Sequence, residues 1–380
     1  MKKKRICIDA NPIVSLYVSG FLSGIGRTTF ELINALAQLP NLPFEIVLYS
    51  QNMKGIGGKN LNLPFKNKHL YFPHREKYNQ FLTKFPVREW LTGCELMHIT
   101  HNFEYIRHPE KTIVTLHDAL FMKMQEKQFA HEKMKQIVPP LMHQCKAIIT
   151  CSECSKQDIV ETMNIHPEKI HVIPWGIRHD VFYPVEDKTE NRKKISEKFG
   201  LVKPYFFSVS CNMERKNTPR LIDCYIELAK RNIKNDLCLV WDAPQCIREK
   251  VSQSGVQDKI HFLNHVTDDD LRSLYAGAIA TVFPSLYEGF GLPVLESMAC
   301  GTPVICSNTS SLPEVGGDVG IYIDPTDSEM IMQAMEDIEK MSNEDILYLS
   351  NRGIKRAKSH LWSKCAQETA DVYSNYLDLR

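Results

Sequence analysis

The chain has 380 residues, enough for two or three domains that each bury a core without disulfides. Hydrophobic residues make up 43% and charged residues 24%, which excludes a disordered, collagen-like or coiled-coil chain. The formal net charge of +1 excludes a chain-wide basic field of the kind that attracts nucleic acid.

The N terminus and the twelve cysteines indicate a cytoplasmic protein with reduced thiols. The apolar stretch between the basic run 2–5 and Asp9 is too short for the core of a secretory signal. Cys151 and Cys154 form a C-x-x-C motif, but a second pair is missing, so ordinary thiols explain them better than a redox or metal pair. No apolar run approaches the roughly 18 residues that a membrane span needs.

Short apolar runs alternate with helical patterns through the first half of the chain. Strands are predicted at 5–9, 44–49, 96–99, 112–116, 147–150 and 171–173. Helices are predicted between them, for example at 28–38 and 155–163. This alternation predicts a parallel sheet that is covered on both faces.

The segment 174–192 breaks the alternation and is interpreted as a linker between domains. Strands are then predicted at 205–209, 237–240, 260–263, 280–283, 304–306 and 320–323. The chain ends in a helical pattern from about 359 to 376. The sequence therefore predicts an α/β protein of two Rossmann-like, doubly wound domains in tandem, over 1–180 and 181–359. Ligands of such sheets bind beyond the carboxyl ends of the strands.

The most informative stretch runs from Phe283 to Pro303. Gly289 and Gly291 precede a predicted helix start, where backbone N–H groups and the helix dipole favour an anion such as phosphate. Glu288 and Glu296 flank these glycines. Carboxylates beside a phosphate site repel the phosphate unless they bind other groups, and sugar hydroxyls are suitable donors to them.

Three further segments place polar residues where predicted strands end. Arg215 and Lys216 follow the first strand of the second domain, and this pair of cations suits a diphosphate. Gly24 and Gly26 precede a helix in the first domain, where a glycine loop can approach a phosphate or a sugar. The pair His117 and Asp118 ends another first-domain strand; a catalytic histidine and a polar strand end capped by Asp118 are both left open at this point.

The spacing of Glu288 and Glu296 resembles the paired-glutamate signature of retaining family 4 glycosyltransferases with the GT-B fold. The likeness continues through 310–315 and 324–327 and covers essentially the whole chain. It implies two Rossmann-like domains that face a central cleft, with the C-terminal helix 360–380 packing back on the first domain. One departure is Ser210, where the family usually has glycine.

The resemblance implies a role for each matched residue. Glu288 contacts the donor sugar near the reacting carbon, and Glu296 binds the ribose hydroxyls of the nucleotide. The amides around Gly289, Phe290 and Gly291 meet the sugar or the diphosphate. The remaining residues carried over are Arg215 and Lys216 at the diphosphate, His117 at the donor sugar, and Gly24 and Gly26 at the phosphate or sugar.

The resulting hypothesis is a retaining, metal-independent enzyme that moves a hexose, with mannose favoured, from a GDP- or UDP-linked donor to a glycan or lipid-linked acceptor of surface polysaccharide synthesis. No metal and no cofactor besides the donor are expected, because the acidic run 268–270 is better explained as a helix start. Contact with the inner face of the membrane, for instance through the run 2–5, is left open. Two alternatives are a sugar-nucleotide epimerase of the same architecture and a catalytically silent binding domain.

Overall fold

The computed structural model describes residues 3–20, 22–53, 61–102, 105–124 and 131–378, with only the backbone described at 17–19. Lys2, at the start of the basic run, lies outside these residues. The chain divides into two compact units. Unit 1 comprises the described residues up to 176 together with 361–378, and unit 2 comprises 177–360. The boundary thus falls four residues before the predicted one at 180.

Unit 1 is built on a seven-stranded sheet in the order β3-β2-β1-β4-β5-β6-β7, and every neighbouring pair is parallel. Its strands are β1 Arg5–Asp9, β2 Glu45–Gln51, β3 Lys66–Leu70, β4 Leu96–Ile99, β5 Thr112–Thr115, β6 Ala147–Thr150 and β7 Ile170–Val172. Its first helices are α1 Asn11–Ser19, α2 Gly24–Ala37, α3 Glu76–Leu82, α4 Val87–Thr92, α5 Leu120–Lys123, α6 His131–Gln144 and α7 Glu153–Met163.

Unit 2 is built on a six-stranded parallel sheet in the order β10-β9-β8-β11-β12-β13. Its strands are β8 Tyr205–Val209, β9 Asp236–Val240, β10 Ile260–Leu263, β11 Ala280–Phe283, β12 Val304–Ser307 and β13 Ile321–Ile323. Its helices are α8 Lys188–Phe199, α9 Thr218–Lys230, α10 Gln245–Ser252, α11 Asp268–Gly277, α12 Leu292–Ala299, α13 Leu312–Gly316, α14 Ser328–Lys340 and α15 Asn343–Lys358.

Strand β1 shows why the sequences of the central strands are continuous apolar runs. Successive side chains of a strand point to opposite faces of the sheet. Ile6 and Ile8 belong to one apolar cluster and Cys7 to another, and all three are fully buried. The sheet of unit 1 is therefore covered on both faces, as a parallel sheet with helical crossovers requires.

The last helix, α16 (Trp362–Tyr376), lies in unit 1. Ala366, Ala370 and Tyr373 belong to the apolar cluster that also contains Ile6 and Ile8. The Tyr373 hydroxyl lies 2.5 Å from Nδ1 of His98 on β4. A Cβ atom on Gly176 would lie 2.1 Å from the backbone nitrogen of Trp362, so the close approach of these two segments requires glycine.

Two sequence interpretations need correction. Strand β3 was not predicted, because its residues Lys66–Leu70 carry one apolar side chain and lie at the half-buried edge of the sheet. The predicted linker 174–192 is also too long. Asp187 caps helix α8 by accepting from the amides of Thr189 and Glu190, so the charged residues after it are helical.

Candidate functional site

The candidate site in unit 2 forms where β8 and β11 end. The turn after β11 leads into α12, and Gly291 is the N-cap of that helix with φ of 114°. A Cβ atom there would lie 2.6 Å from Cδ2 of Leu312, so both the backbone and the space require glycine. Helix α12 points the positive end of its dipole at this turn.

Glu288 lies in the turn and is buried. Its Oε2 is 2.7 Å from Nη1 of Arg215, and its Oε1 is 2.7 Å from Nζ of Lys216. Burial alone would raise the pKa of this carboxyl, but the charges of Lys216 and Arg215 outweigh burial and hold the pKa below its usual value. Glu288 is therefore a carboxylate between two cations at neutral pH.

Arg215 and Lys216 end a single 3₁₀ turn, Glu214–Lys216, that follows β8. The carbonyl of Arg215 accepts from the amide of Leu286 at 2.7 Å, which ties this turn to the segment after β11. Nζ of Lys216 also lies 4.6 Å from the centre of the Phe283 ring. The structure thus brings Glu288 to the adjacent cations Arg215 and Lys216, the nearer of which lies 72 residues before it in the sequence.

Asn217 fixes the same turn from the other side. It is buried with φ of 56°, and its Nδ2 donates to the carbonyls of Pro284 (3.1 Å) and Pro325 (2.7 Å). One side-chain amide therefore joins the loops that follow β8, β11 and β13. Asn217 was not among the predicted site residues, although it stands directly after the predicted cations.

Glu296 lies one turn into α12 and is buried. Its Oε2 accepts from the hydroxyl of Tyr275 at 3.0 Å. Tyr275 is fully buried in α11, and its ring packs edge-on against Phe207 at 5.0 Å. Tyr275 therefore orients this carboxylate, a contact for which the sequence gives no signal because the two residues meet only in the folded unit.

Two serines hold the backbone of the turn. Ser310 Oγ accepts from the amide of Glu288 at 3.0 Å, and Ser311 Oγ donates to the carbonyl of Phe290 at 2.7 Å. The Phe290 side chain is buried, so only its backbone can face a ligand. Ser210, the departure from the family, pairs its hydroxyl with that of Thr218 at the start of α9.

His117 lies in unit 1, beyond the end of β5, and is buried. Its Nε2 donates to the carbonyl of Thr100 at 3.0 Å, which assigns the proton to Nε2, and its ring packs against Trp175. Burial lowers its pKa to about 4, so the ring is neutral at physiological pH. Asp118 caps the following turn by accepting from the amide of Leu120 at 3.0 Å, which is the structural role left open above.

Gly24 and Gly26 also lie in unit 1, but the expectation that they form a loop before the helix is wrong. They are the first and third residues of α2, and the Gly26 amide donates to the Ser23 hydroxyl at the N-cap. A Cβ atom on Gly26 would lie 2.6 Å from the carbonyl of Pro12, so this glycine is explained by helix packing. A Cβ atom on Gly24 would meet no atom within 4 Å.

The acidic run 268–270 begins α11. Thr267 and Asp270 form a capping box, and the three aspartates pair with Arg178, Lys194 and Lys198. Within the described part of the chain, no group of three or more His, Cys, Asp or Glu side chains could hold a metal ion. The twelve cysteines are free thiols, and Cys151 donates to the carbonyl of His117.

Two family models match the chain. The model for glycosyl transferases group 1 matches residues 188–359, and the model for glycosyltransferase family 4 matches residues 22–181. The chain is 30% identical over 284 residues to O-antigen chain mannosyltransferase B of Escherichia coli, and the match covers 72% of each protein. It is 27% identical over 235 residues to an MMP alpha-(1→4)-mannosyltransferase of Mycolicibacterium hassiacum, covering 60% of this chain and 54% of that protein.

Among solved structures, sucrose-phosphate synthase from Thermosynechococcus elongatus aligns over 100% of both chains with a TM-score of 0.78 and 17% identity. At this identity the likeness is one of fold. Together with the two parallel sheets, it confirms the predicted α/β, two-domain GT-B fold.

Proposed function

We propose the reaction of this chain from the premise that it belongs to the group 1 glycosyltransferases of family 4, and is therefore a glycosyltransferase. The reaction is the transfer of a mannosyl residue, with retention of configuration and without a metal ion, from a nucleotide-diphosphate sugar. The acceptor is a glycan or a lipid-linked oligosaccharide of surface polysaccharide synthesis. The transfer takes place in the cytoplasm, at the inner face of the membrane.

The observation that carries the proposal is the cluster of Arg215, Lys216 and Glu288 where β8 and β11 end. Cations at the carboxyl ends of parallel strands lie where doubly wound sheets bind phosphorylated ligands. Arg215 offers a planar fork and Lys216 a point charge, which together suit a diphosphate. The N terminus of α12 adds partial positive charge beside them.

In the proposed reaction, the bond between the anomeric carbon and the diphosphate oxygen breaks, and the electron pair leaves with the diphosphate. Arg215 and Lys216 stabilise the charge that develops there. The acceptor hydroxyl attacks the oxocarbenium-like carbon on the same face, and its proton passes to the leaving phosphate. No protein nucleophile and no metal ion is needed for this balance.

The other residues bind the donor. Glu296, oriented by Tyr275, accepts hydrogen bonds from the ribose hydroxyls, and Glu288 contacts the sugar near the reacting carbon. His117 uses its unprotonated Nδ1 to accept from a sugar hydroxyl, since Nε2 is engaged by Thr100. Gly24, at the start of α2, lets the backbone of unit 1 approach the sugar, and the amides of Gly289 to Gly291 meet the sugar or the diphosphate.

Mannose is proposed because the two relatives described above are named mannosyltransferases, and GDP-mannose is the donor that the test puts first. The test incubates the chain with GDP-mannose, UDP-glucose and UDP-N-acetylglucosamine, with and without a mannose-terminated oligosaccharide acceptor. We expect GDP release and an α-linked product from GDP-mannose, with equal yield after EDTA treatment. A new nucleotide sugar formed from donor alone would identify an epimerase, and an absence of turnover with every donor would leave a binding domain.

A further inference from the structure

One surface of unit 1 exposes large aromatic side chains. The exposed fractions are 53% for Tyr71, 48% for Phe81, 46% for Phe85 and 77% for Trp90. These four residues lie between positions 71 and 90, a stretch that contains helix α3 and most of helix α4. Contiguous exposed aromatic surface on a folded domain commonly marks an interaction site.

Two of these rings, Phe81 and Phe85, lie against each other on the α3–α4 segment. Phe81 and Phe85 are one turn apart, and their ring centres are 5.3 Å apart. The turn that joins the two helices continues the helical path, because the Phe85 amide donates to the carbonyl of Leu82. Trp90 follows five residues later on α4.

The buried side of the segment combines polar with apolar side chains, among them Leu82 of α3. Asn79 of α3 is buried and accepts from Nε2 of Gln51 at 2.8 Å. Arg88 of α4 is buried, donates to the carbonyl of Tyr105 and lies over the ring of Tyr49. Unit 1 thus holds this segment through polar and apolar contacts and leaves Phe81, Phe85 and Trp90 exposed.

The charge around these aromatic residues is positive. Residues 66–90 contain six lysines and arginines against two glutamates, whereas the whole chain contains 46 against 45 acidic residues. Arg75, Lys77 and Lys84 are exposed in the same stretch of the chain as the aromatic residues. Glu76, one of the two acids, pairs with Lys133.

We propose that the surface formed by Tyr71, Phe81, Phe85 and Trp90 with Arg75, Lys77 and Lys84 docks on an anionic phospholipid bilayer. Aromatic rings of this kind settle at the level of the lipid headgroups, and neighbouring cations bind anionic headgroups. This inference rests on the proposed function in one respect, because a lipid-linked acceptor gives the chain a reason to meet a bilayer. The docking itself can be measured without any transfer.

This surface replaces the N-terminal basic run as the membrane contact. Nζ of Lys3 donates to the carbonyl of Leu42 at 2.7 Å, and Arg5 forms an ion pair with Glu45 at 2.7 Å. Both cations therefore have partners within unit 1. No helix in the described ranges has the length and apolar content to cross a bilayer.

The experiment measures sedimentation of the full chain with vesicles of phosphatidylcholine, alone or with one quarter phosphatidylglycerol. The test variant is F81S/F85S/W90S, and the control is L347S/Y348S, which removes two equally exposed apolar side chains from α15 of unit 2. We expect the aromatic variant to lose at least tenfold in partition coefficient on anionic vesicles and the control to stay within twofold of the parent chain. K77Q/K84Q should lose affinity only for the anionic vesicles.

A second readout fixes the position of the contact. Brominated phosphatidylcholine should quench the tryptophan emission of the bound parent chain, and Trp90→Phe should abolish that quenching while the chain still binds. All variants should keep the parent's melting temperature and its transfer to a water-soluble acceptor, because the altered side chains are exposed.

Three results would overturn the docking surface: no binding of the parent chain to anionic vesicles, unchanged binding of the aromatic variant, or a parent dimer that the aromatic variant converts to a monomer. The last result would identify a contact between two copies of the chain. Vesicle binding that persists while every donor fails in transfer would refute the proposed function and leave the docking surface standing.

Discussion

At the scale of single residues, the carboxylate of Glu288 competes with the diphosphate that the site is proposed to bind. Its two oxygens pair with Arg215 and Lys216, so a diphosphate must compete with these ion pairs. The three side chains together carry one net positive charge, and removing the carboxylate raises this to two. The same carboxylate is needed near the donor sugar, so nucleotide affinity and turnover should change in opposite directions.

Glu288→Gln should therefore bind GDP about three- to tenfold more tightly, which corresponds to about 0.7–1.4 kcal/mol, while transfer falls by at least about a hundredfold. Calorimetric titration with GDP and single-turnover transfer measure the two effects. Glu214→Gln is the matched control, because it removes an exposed carboxylate from the same 3₁₀ turn without touching the cluster. Equal or weaker GDP binding by Glu288→Gln would show that the carboxylate does not compete with the diphosphate.

The second residue-scale prediction concerns Glu296 and Tyr275. Glu296→Ala should weaken GDP binding by about 1.5–3 kcal/mol, since the ribose hydroxyls lose a charged acceptor. Tyr275→Phe should weaken it by a smaller amount, about 0.5–1.5 kcal/mol, because only the orientation of the carboxylate is lost. The double variant should bind GDP no worse than Glu296→Ala alone.

Inorganic pyrophosphate is the control ligand for this pair, because it lacks the ribose. Its affinity should be the same in the parent chain and in all three variants. A parallel loss of pyrophosphate affinity would mean that Glu296 supports the diphosphate site or the fold, and that the ribose assignment is wrong.

At the scale of elements, apolar runs predicted the central strands and failed at the edges. Strand β1 has both faces buried and a largely apolar sequence, whereas β3 lies at the sheet edge and has a largely polar sequence. The charged sequence of α8 was interpreted as a linker because only Asn191 and Ile195 of that helix are buried. The periodic pattern of apolar residues arises from burial, so it does not predict elements that bury little surface.

The candidate site likewise contains residues that the sequence predicts and residues that it does not. Glu288, Arg215 and Lys216 could be predicted to lie together because each follows a predicted strand of one parallel sheet. Tyr275 and Ser311 reach the site from other elements, through contacts that exist only after packing. The exposure of Phe81 on α3 and of Trp90 on α4 is likewise not predicted, since a sequence does not tell which side of a short helix is covered.

The element-scale prediction concerns α16, whose periodic pattern predicts a helix but not its packing partner. Tyr373→Phe should lower the free energy of unfolding by about 1–3 kcal/mol, because it removes the hydroxyl that pairs with buried His98. Tyr348→Phe on exposed α15 is the control and should change it by less than about 0.5 kcal/mol. Urea unfolding measures both; equal effects would mean that the Tyr373–His98 contact adds nothing to stability.

At the scale of the whole molecule, the two units differ in their buried histidines. The described histidines with a lowered pKa are His69, His98, His117 and His171, and all four belong to unit 1. Burial is the first cause in each case, and it lowers the pKa to about 3 for His98 and to about 4 for His117. Acid should therefore act first on unit 1.

The sign follows from proton binding. Between pH 6.5 and about 4, the unfolded histidines bind protons and the folded His98 and His117 do not, so stability falls as pH falls through this window. Each of the two fully buried rings should cost about 1.4 kcal/mol on going from pH 7.5 to 5.5. Carboxylates contribute little there, because their unfolded pKa values lie near 4.

The measurement can separate the units, because Trp90, Trp175 and Trp362 lie in unit 1 and Trp241 in unit 2. In Trp241→Phe, urea unfolding followed by tryptophan emission reports unit 1, whose stability should fall by about 3 kcal/mol between pH 7.5 and 5.5. His98→Asn should lessen that fall by about half, since one of the two buried titrating rings is gone. Calorimetry of the parent chain should show the same acid shift in only one of its transitions. An emission midpoint that is equal at both pH values would mean that these rings take up protons in the folded unit, and that burial does not set the acid response.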